Sequence, residues 1–346
     1  MKITHYSIYI LFLCIMLLVS CAKEDPDMLS DTIYVSHEGA DMPAYIHGNA
    51  SEKVFLLVVH GAGSLGLGFR TGAFTAELEK RYAVVYWDQR GQGMSQGHYS
   101  QPDDVIDLMA KDLLALVAVL RHKYGEDIKL FMMGHSWGGA LSAAVLVDPV
   151  NQPLFKGWIE VDGAHDFQFA GTARRQLLLS IVEEQILLGY EPDTWEEIYK
   201  EVSNLDSLSD DDYAPMLDQA QAVVSLLVES GAVEPSGVSS EELYRIVIDN
   251  NPINWKVSAL FNRPFIYARD IGYSVTQELF NIRIPTLLLW GKYDISVPPV
   301  LGYDALRRLG TLDKKLVIFD RSVHHPYDTE PDKFAEEVIQ FIDRLK

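Results

Sequence analysis

The sequence predicts one α/β domain with a mainly parallel sheet, interrupted by a long helical insertion. Three observations carry this. Short continuous apolar runs such as Val54–Val59 alternate with stretches whose apolar residues recur at helical spacing. The alternation stops near Phe167 and resumes after Val275, with only helical patterning between. The chain has 346 residues, 48% of them hydrophobic, enough for a sizeable core and too many for disorder or a fibrous repeat. Length alone suits two domains or one domain with an insertion.

Taken in order, 32–37 and 42–47 alternate like two half-buried strands around a Glu38-Gly39 turn. The run 54–59 is continuously apolar, as a strand buried on both faces requires. A short helix over 74–81 and a second buried strand over 82–87 follow. Residues 105–124 place Ile106, Met109, Leu113, Leu116, Val117 and Leu120 on one helical face. Strand 128–133, helix 138–147 and strand 157–161 complete the first half. The insertion's clearest helices are 174–188, 194–202, 213–230 and 241–250, the last preceded by a Ser239/Glu242 capping box. Strand 286–290, helix 300–309, strand 315–319 and helix 332–345 then restore the rhythm, with right-handed crossovers. The expected divisions are a leader (1–20), a tether (21–30), a core in two parts (31–166 and 276–346) and the insertion (167–275).

The N-terminus looks like an address. Lys2 precedes an apolar run over 8–19, shorter than the roughly 20 residues a membrane span needs. The run ends Leu18-Val19-Ser20-Cys21, which resembles a bacterial lipobox and implies a lipidated Cys21 as the mature first residue. Ala22 is not the aspartate of an inner-membrane retention signal, and Lys23-Glu24-Asp25 resembles a surface-export signal. The expected location is the cell envelope, lipid-anchored at the outer membrane or surface of a Gram-negative bacterium. The other cysteine, Cys14, falls in the leader, so the mature chain is expected to lack disulfides and thiolate metal sites.

Charge excludes other roles. The formal net charge of -20 argues against nucleic-acid binding. Between Glu191 and Asn250 there are 15 acidic residues against Lys200 and Arg245. They read as solvated helix faces, with the sharper alternative that one or two point inward to hold a substrate ammonium.

Gly134-His135-Ser136-Trp137-Gly138 has the G-x-S-x-G pattern between a strand and a helix. Small flanking residues permit a turn sharp enough to present the serine hydroxyl, with the Trp137 N–H near the forming oxyanion. A serine nucleophile needs a base and an orienting acid. Asp294 follows the strand ending Trp290-Gly291, and His324-His325 follows the last strand. Asp162 is a rival acid, after strand 157–161; its plain reading is a turn former, and His165 would sit near the pocket mouth. The pattern points to acyl transfer without metal or other cofactor.

The order Ser, Asp, His, with a strand before each, resembles the α/β-hydrolases over essentially the whole mature length. The resemblance implies an eight-stranded, mainly parallel sheet with a cap between strands six and seven. More narrowly, the chain resembles the proline iminopeptidases, through Asp88-Gln89-Arg90-Gly91-Gln92-Gly93-Met94-Ser95 and the GHSWGG stretch at 134–139. Pro331 and Phe334 stand seven and ten residues after His324, which selects His324 over His325 as base, although Val323 replaces a usual glycine. By the same resemblance the Ala62 N–H in His60-Gly61-Ala62-Gly63 is the second oxyanion donor beside Trp137, while Asp88 and Arg90 brace nearby loops. The family's usual H-G-G-P-G is absent there. The resemblance implies an aminopeptidase acting on small peptides, with a carboxylesterase of small acyl substrates as the alternative. A silent binding lipoprotein is the reading from another class.

Overall fold

The computed structural model describes residues 27–97, 105–206, 209–237, 240–250 and 272–346. The expected leader, Cys21, the export signal and Ser239 lie outside the described residues.

The chain opens with a hairpin of β1 (Met28–His37) and β2 (Ala40–Asn49). Its turn residues Glu38 (φ 40°) and Gly39 (φ 78°) both adopt left-handed backbone, which matches the twist of the flanking strands. Next come β3 (Val54–Val59), α1 (Ala73–Glu79), β4 (Ala83–Trp87), β5 (Gln96–Gly97) and α2 (Val105–Tyr124). Then follow β6 (Lys129–His135), α3 (Trp137–Leu146) and β7 (Gly157–Val161). The insertion contains α4 (Phe167–Leu188), α5 (Pro192–Ser203), α6 (Asp210–Glu229) and α7 (Ser240–Asn250). The chain ends with β8 (Thr286–Gly291), α8 (Val300–Arg308), β9 (Lys314–Phe319), α9 (Pro326–Thr329) and α10 (Pro331–Leu345).

The strand order is β1-β2-β4-β3-β6-β7-β8-β9. β2 runs antiparallel to both neighbours, and every pairing from β4 to β9 is parallel. These eight strands are the eight expected, and the insertion leaves between the sixth and seventh of them. The extra β5 is a two-residue pairing onto the start of β2, too short to leave any alternation in sequence.

All six residues of β3 are buried. Phe55, Leu57 and Val59 join one apolar layer with Leu113 and Leu116 of α2. Val54, Leu56 and Val58 join the opposite layer with Phe74 of α1 and Phe334 of α10. Each such side chain contributes about 1.5–3 kcal/mol by leaving water, and both faces of the strand are used.

The insertion has its own core, built from Leu178 and Val182 of α4, Trp195 and Ile198 of α5, and Val223 and Leu227 of α6. Trp195 fills this core, whereas Tyr199 and Tyr244 are exposed. α4 starts earlier than its apolar spacing suggests because Asp166 caps it, accepting from the Phe169 N–H at 2.8 Å. The same carboxylate accepts from Ser274 Oγ at 2.7 Å and Thr276 Oγ1 at 2.9 Å. Both chain ends of the insertion therefore meet at Asp166.

The acidic side chains described between Glu191 and Glu242 are exposed or half-buried, and none is buried. That matches solvated helix faces. Asp212 accepts from the Asp206 N–H, and Glu234 pairs with Arg321. Among the described residues no helix is long and apolar enough to cross a membrane.

Candidate active site

Parallel strands end at one edge of a sheet, so the loops after them converge there. His60 follows β3, Asp88 follows β4, Ser136 follows β6, Asp162 follows β7, Asp294 follows β8 and His324 follows β9. Residues far apart in sequence become neighbours by this geometry alone.

Ser136 occupies the bend between β6 and α3 with φ 55° and ψ −119°. A serine held in such a conformation stores about 1–3 kcal/mol, which the surroundings must sustain. They do so through backbone: the Ser136 N–H donates to Val161 O at 3.0 Å, and its carbonyl accepts from Gly139 N and Ala164 N. The flanking glycines are sterically required. A Cβ on Gly138 would stand 1.9 Å from Val59 O, and one on Gly134 would stand 2.3 Å from Ser142 Oγ. The bend is wedged into the end of β3.

His324 Nδ1 donates to Asp294 Oδ2 at 2.8 Å, the arrangement expected for a base and its orienting acid. Asp294 is fully buried, and its Oδ1 accepts from Val297 N at 2.9 Å. The His324 side chain keeps 17% of its surface exposed, while its neighbour His325 makes no contact with Asp294 among the hydrogen bonds of the described residues. Sequence spacing therefore selected the histidine that the structure brings to the acid. The His324 ring packs on His135 at 4.7 Å between ring centroids, tilted by 48°, and His135 directly precedes Ser136 in the chain. His135 Nε2 donates to His324 O at 2.9 Å. Burial holds the His135 pKa well below the ordinary histidine value, which keeps the ring neutral. Phe69 and Tyr327 pack against the same ring, at 5.6 and 5.3 Å.

Asp162 is more than a turn former. It has φ 46°, is fully buried, and accepts from Gly291 N at 2.9 Å. Burial and the adjacent Asp294 push its carboxyl well above the usual carboxylate range. His165 was expected near the mouth of the pocket, but it is completely buried and faces Glu160 at 3.3 Å. His135, Asp162 and His324 each offer one metal-capable atom within 4.8 Å of the others. His324 already spends Nδ1 on Asp294, and His135 spends Nε2 on a carbonyl, which suits proton chemistry.

Ala62 lies in the exposed loop after β3, and Trp137 is the first residue of α3, at the positive end of that helix. Gly61 presses on the bend: a Cβ there would lie 3.2 Å from Ser136 Cβ. Gln89 and Gln92 hold this loop. Gln89 Nε2 donates to His60 O at 2.6 Å, and Gly63 N donates to Gln92 Oε1 at 2.7 Å. Asp88 accepts from Gly66 N and Met94 N, and Arg90 forms two 2.7 Å contacts to the buried Asp112. Asp88 and Arg90 do brace loops, as expected, but the direct supports of the His60–Gly63 segment are the two glutamines. Nothing in a glutamine's spacing announces that role; only the loop-to-loop approach creates it.

The insertion grips both loops that carry the acid and the histidine. Arg174 of α4 donates to Ile295 O and Ser296 O, each at 3.1 Å, and Glu184 lies 3.4 Å from Lys292. Tyr293 and Ile295 are part of the insertion's core, with Val323 packed against it. On the histidine side, Arg321 pairs with Glu234 and donates to Gly231 O at 3.1 Å.

The family described as serine aminopeptidase, S33, matches residues 50–332. A proline iminopeptidase of Saccharolobus solfataricus is 25% identical over 266 residues, covering 76% of this chain and 76% of its own. The crystal structure of a proline iminopeptidase from Mycobacterium smegmatis has a TM-score of 0.63 at 17% identity, covering 91% of this chain and 98% of that one. The esterase RhEst1 from a Rhodococcus species has a TM-score of 0.56 at 18% identity, covering 92% of this chain and 100% of that one. With its α/β-hydrolase fold, the chain belongs to the serine aminopeptidase S33 family and is a serine hydrolase.

Proposed function

We propose that the protein is an aminopeptidase that releases an N-terminal residue, of proline type, from small peptides. The hydrogen-bonded Asp294–His324 pair, packed on His135 beside the bend that carries Ser136, is the observation that supports this mechanism most. Kinship with proline iminopeptidases supports the substrate class.

Ser136 Oγ attacks the carbonyl carbon of the N-terminal residue while its proton passes to His324. The N–H groups of Ala62 and Trp137 take the developing oxyanion. Asp294 keeps the imidazole oriented and stabilises the imidazolium. The imidazolium proton of His324 then goes to the leaving amine as the C–N bond breaks, leaving an ester on Ser136. Water next gives a proton to His324 as its oxygen adds to the acyl carbon. That proton returns to Ser136 Oγ, and the free residue departs. The helices of 167–275 act as a cap that limits access to small substrates.

The second reading, a carboxylesterase of small acyl substrates, is favoured by the oxyanion loop itself, which lacks the second glycine and the proline of the peptidase pattern. Turnover of proline arylamides and short p-nitrophenyl esters by the lipid-free protein separates the two. Arylamide turnover that vanishes in Ser136→Ala supports the aminopeptidase; ester turnover alone selects the esterase. Lipid anchorage through Cys21 belongs to the same proposal and rests on the Leu18-Val19-Ser20-Cys21 sequence. Incorporation of labelled fatty acid in the expressing cell, lost in Cys21→Ser, is the expected result.

A further inference from the structure

Two fully buried carboxyl groups meet behind His324, and the chemistry proposed above uses only one of them. Asp294 has a complete set of partners, with Val297 N on Oδ1 and His324 Nδ1 on Oδ2. Asp162 does not. Its Oδ1 accepts from Gly291 N, yet its Oδ2 is buried and meets no donor among the described residues. The group facing it is the carboxyl of Asp294. Two carboxylates in contact inside a protein cannot both stay charged, so one of the pair keeps a proton. Asp294 is the one that accepts from a histidine, which leaves the proton on Asp162. A proton on Oδ2 also gives that oxygen the partner it lacks.

We propose that Asp162 is a positioning residue of this site, its carboxylic acid donating a hydrogen bond to the Asp294 carboxylate and thereby fixing the acceptor that orients His324. The proposal rests on the assignment of Asp294 and His324 made above. The placement of Asp162 is built into the backbone. Its N–H donates to Leu289 O at 2.9 Å, and its φ of 46° turns the side chain back toward the end of β8. Gly291, which supplies the N–H for Oδ1, cannot be replaced: a Cβ there would stand 1.9 Å from Val323 O, in the histidine loop. One short segment of β8 thus joins both carboxyls to the loop of the base.

The titratable groups around Asp162 come from every element packed on it. Glu160 lies on β7, Asp294 after β8, His135 at the end of β6, and His324 and Tyr327 after β9. Glu160 and Asp294 both oppose a negative charge on Asp162. His135 is held neutral by burial and offers no compensating cation. The neutral acid is the form this environment favours.

Asparagine has the shape of a neutral aspartic acid and can give the same hydrogen bond, so Asp162→Asn and Asp162→Ala test the role. Hydrolysis of p-nitrophenyl acetate and a proline arylamide supplies the readout. The asparagine variant is expected to stay within about threefold of the parent kcat. The alanine variant is expected to lose up to about 100-fold in kcat with little change in KM, through a misplaced base. Rescue by asparagine over alanine is what a merely space-filling role does not give.

Thermal stability adds an independent reading should the alanine variant fail to fold. A carboxyl whose native pKa is raised contributes stability below pH ~4 and loses it as pH rises toward the native value. Asparagine has no such loss. The Tm difference, asparagine variant minus parent, is therefore expected to grow as pH rises from ~4. An asparagine variant as inactive as Asp294→Asn, or a Tm difference that is flat or falls with pH, overturns the proposal. An active Asp294→Asn beside an inactive Asp162→Asn instead moves the acid role to Asp162, and so overturns the assignment of Asp294 as well.

Discussion

The bend that carries Ser136 and the two loops that carry Asp294 and His324 are held in different ways. The bend is locked by the sheet and its neighbours: backbone hydrogen bonds to Val161 and Ala164, Gly138 pressed against Val59, and Gly134 against Ser142. The other two loops hang partly on side chains of the insertion, Arg174 on one side and the Glu234–Arg321 pair on the other. The geometry of Ser136 is thus a property of the core, whereas His324 and Asp294 share their support with the helices above them. A serine that must keep a strained backbone needs a rigid surround. A histidine that must exchange protons in both directions tolerates a softer one.

This contrast is open to direct attack, beginning with the largest effect. Ser136→Ala is expected to lower kcat by roughly 10⁶-fold with the fold intact, by circular dichroism and steady-state assay. Asp294→Asn should cost about 10⁴-fold in kcat, since the amide favours the wrong tautomer of the histidine. Gly138→Ala, by contrast, should act on stability, by about 1–3 kcal/mol in chemical denaturation, because its Cβ meets the backbone of Val59. Arg321→Ala tests the shared support. Arg321 is half exposed, so its ion pair is worth at most about 1 kcal/mol in stability. A fall of about tenfold in kcat with Tm nearly unchanged is expected if the insertion seats the histidine loop. An unchanged kcat would break the comparison, by making that loop as self-sufficient as the bend.

A separate expected effect, which leaves the comparison of loops untouched, is on acid stability. His60 is fully buried, and burial lowers its pKa to about 4. A histidine with a depressed native pKa contributes stability above pH ~6.5, lost progressively as pH falls toward the native value. His135 acts in the same direction. Tm should therefore fall between pH ~6.5 and 4 in scanning calorimetry, and His60→Asn should flatten part of that slope.

Much of this architecture is legible in the residues because burial on both faces leaves unbroken apolar runs. Val54–Val59 and Gly157–Val161 are strands with the bounds their composition suggests. The bend at Ser136 is legible for a steric reason, since only small neighbours permit it. The choice between His324 and His325 came from spacing to Pro331 and Phe334, and the hydrogen bond to Asp294 follows that choice. What stayed hidden depends on contacts between distant loops. Gln89 and Gln92 become supports only because the segment after β4 meets the segment after β3. Asp162 and Asp294 read in sequence as rival candidates for one role, and their meeting is a consequence of adjacent parallel strands. His165 is polar and adjacent to the site in sequence, yet Glu160 draws it inside. The start of α4 was masked because its signal is a cap at Asp166 and not an apolar face.

The clasp at Asp166 has a consequence for how the chain folds. Ser274 Oγ reaches a carboxylate 108 residues earlier, and β7 pairs with β8 across the same span. Closing so long a loop in an unstructured chain is slow, because its entropy must be surrendered before any contact rewards it. Helices α4 to α6, which pack on one another through Leu178, Trp195 and Val223, would shorten that loop by forming first. The last two strands, β8 and β9, would then join the sheet only after the helices that precede them had gathered, and hydrogen exchange during refolding should show β8 protected later than α5.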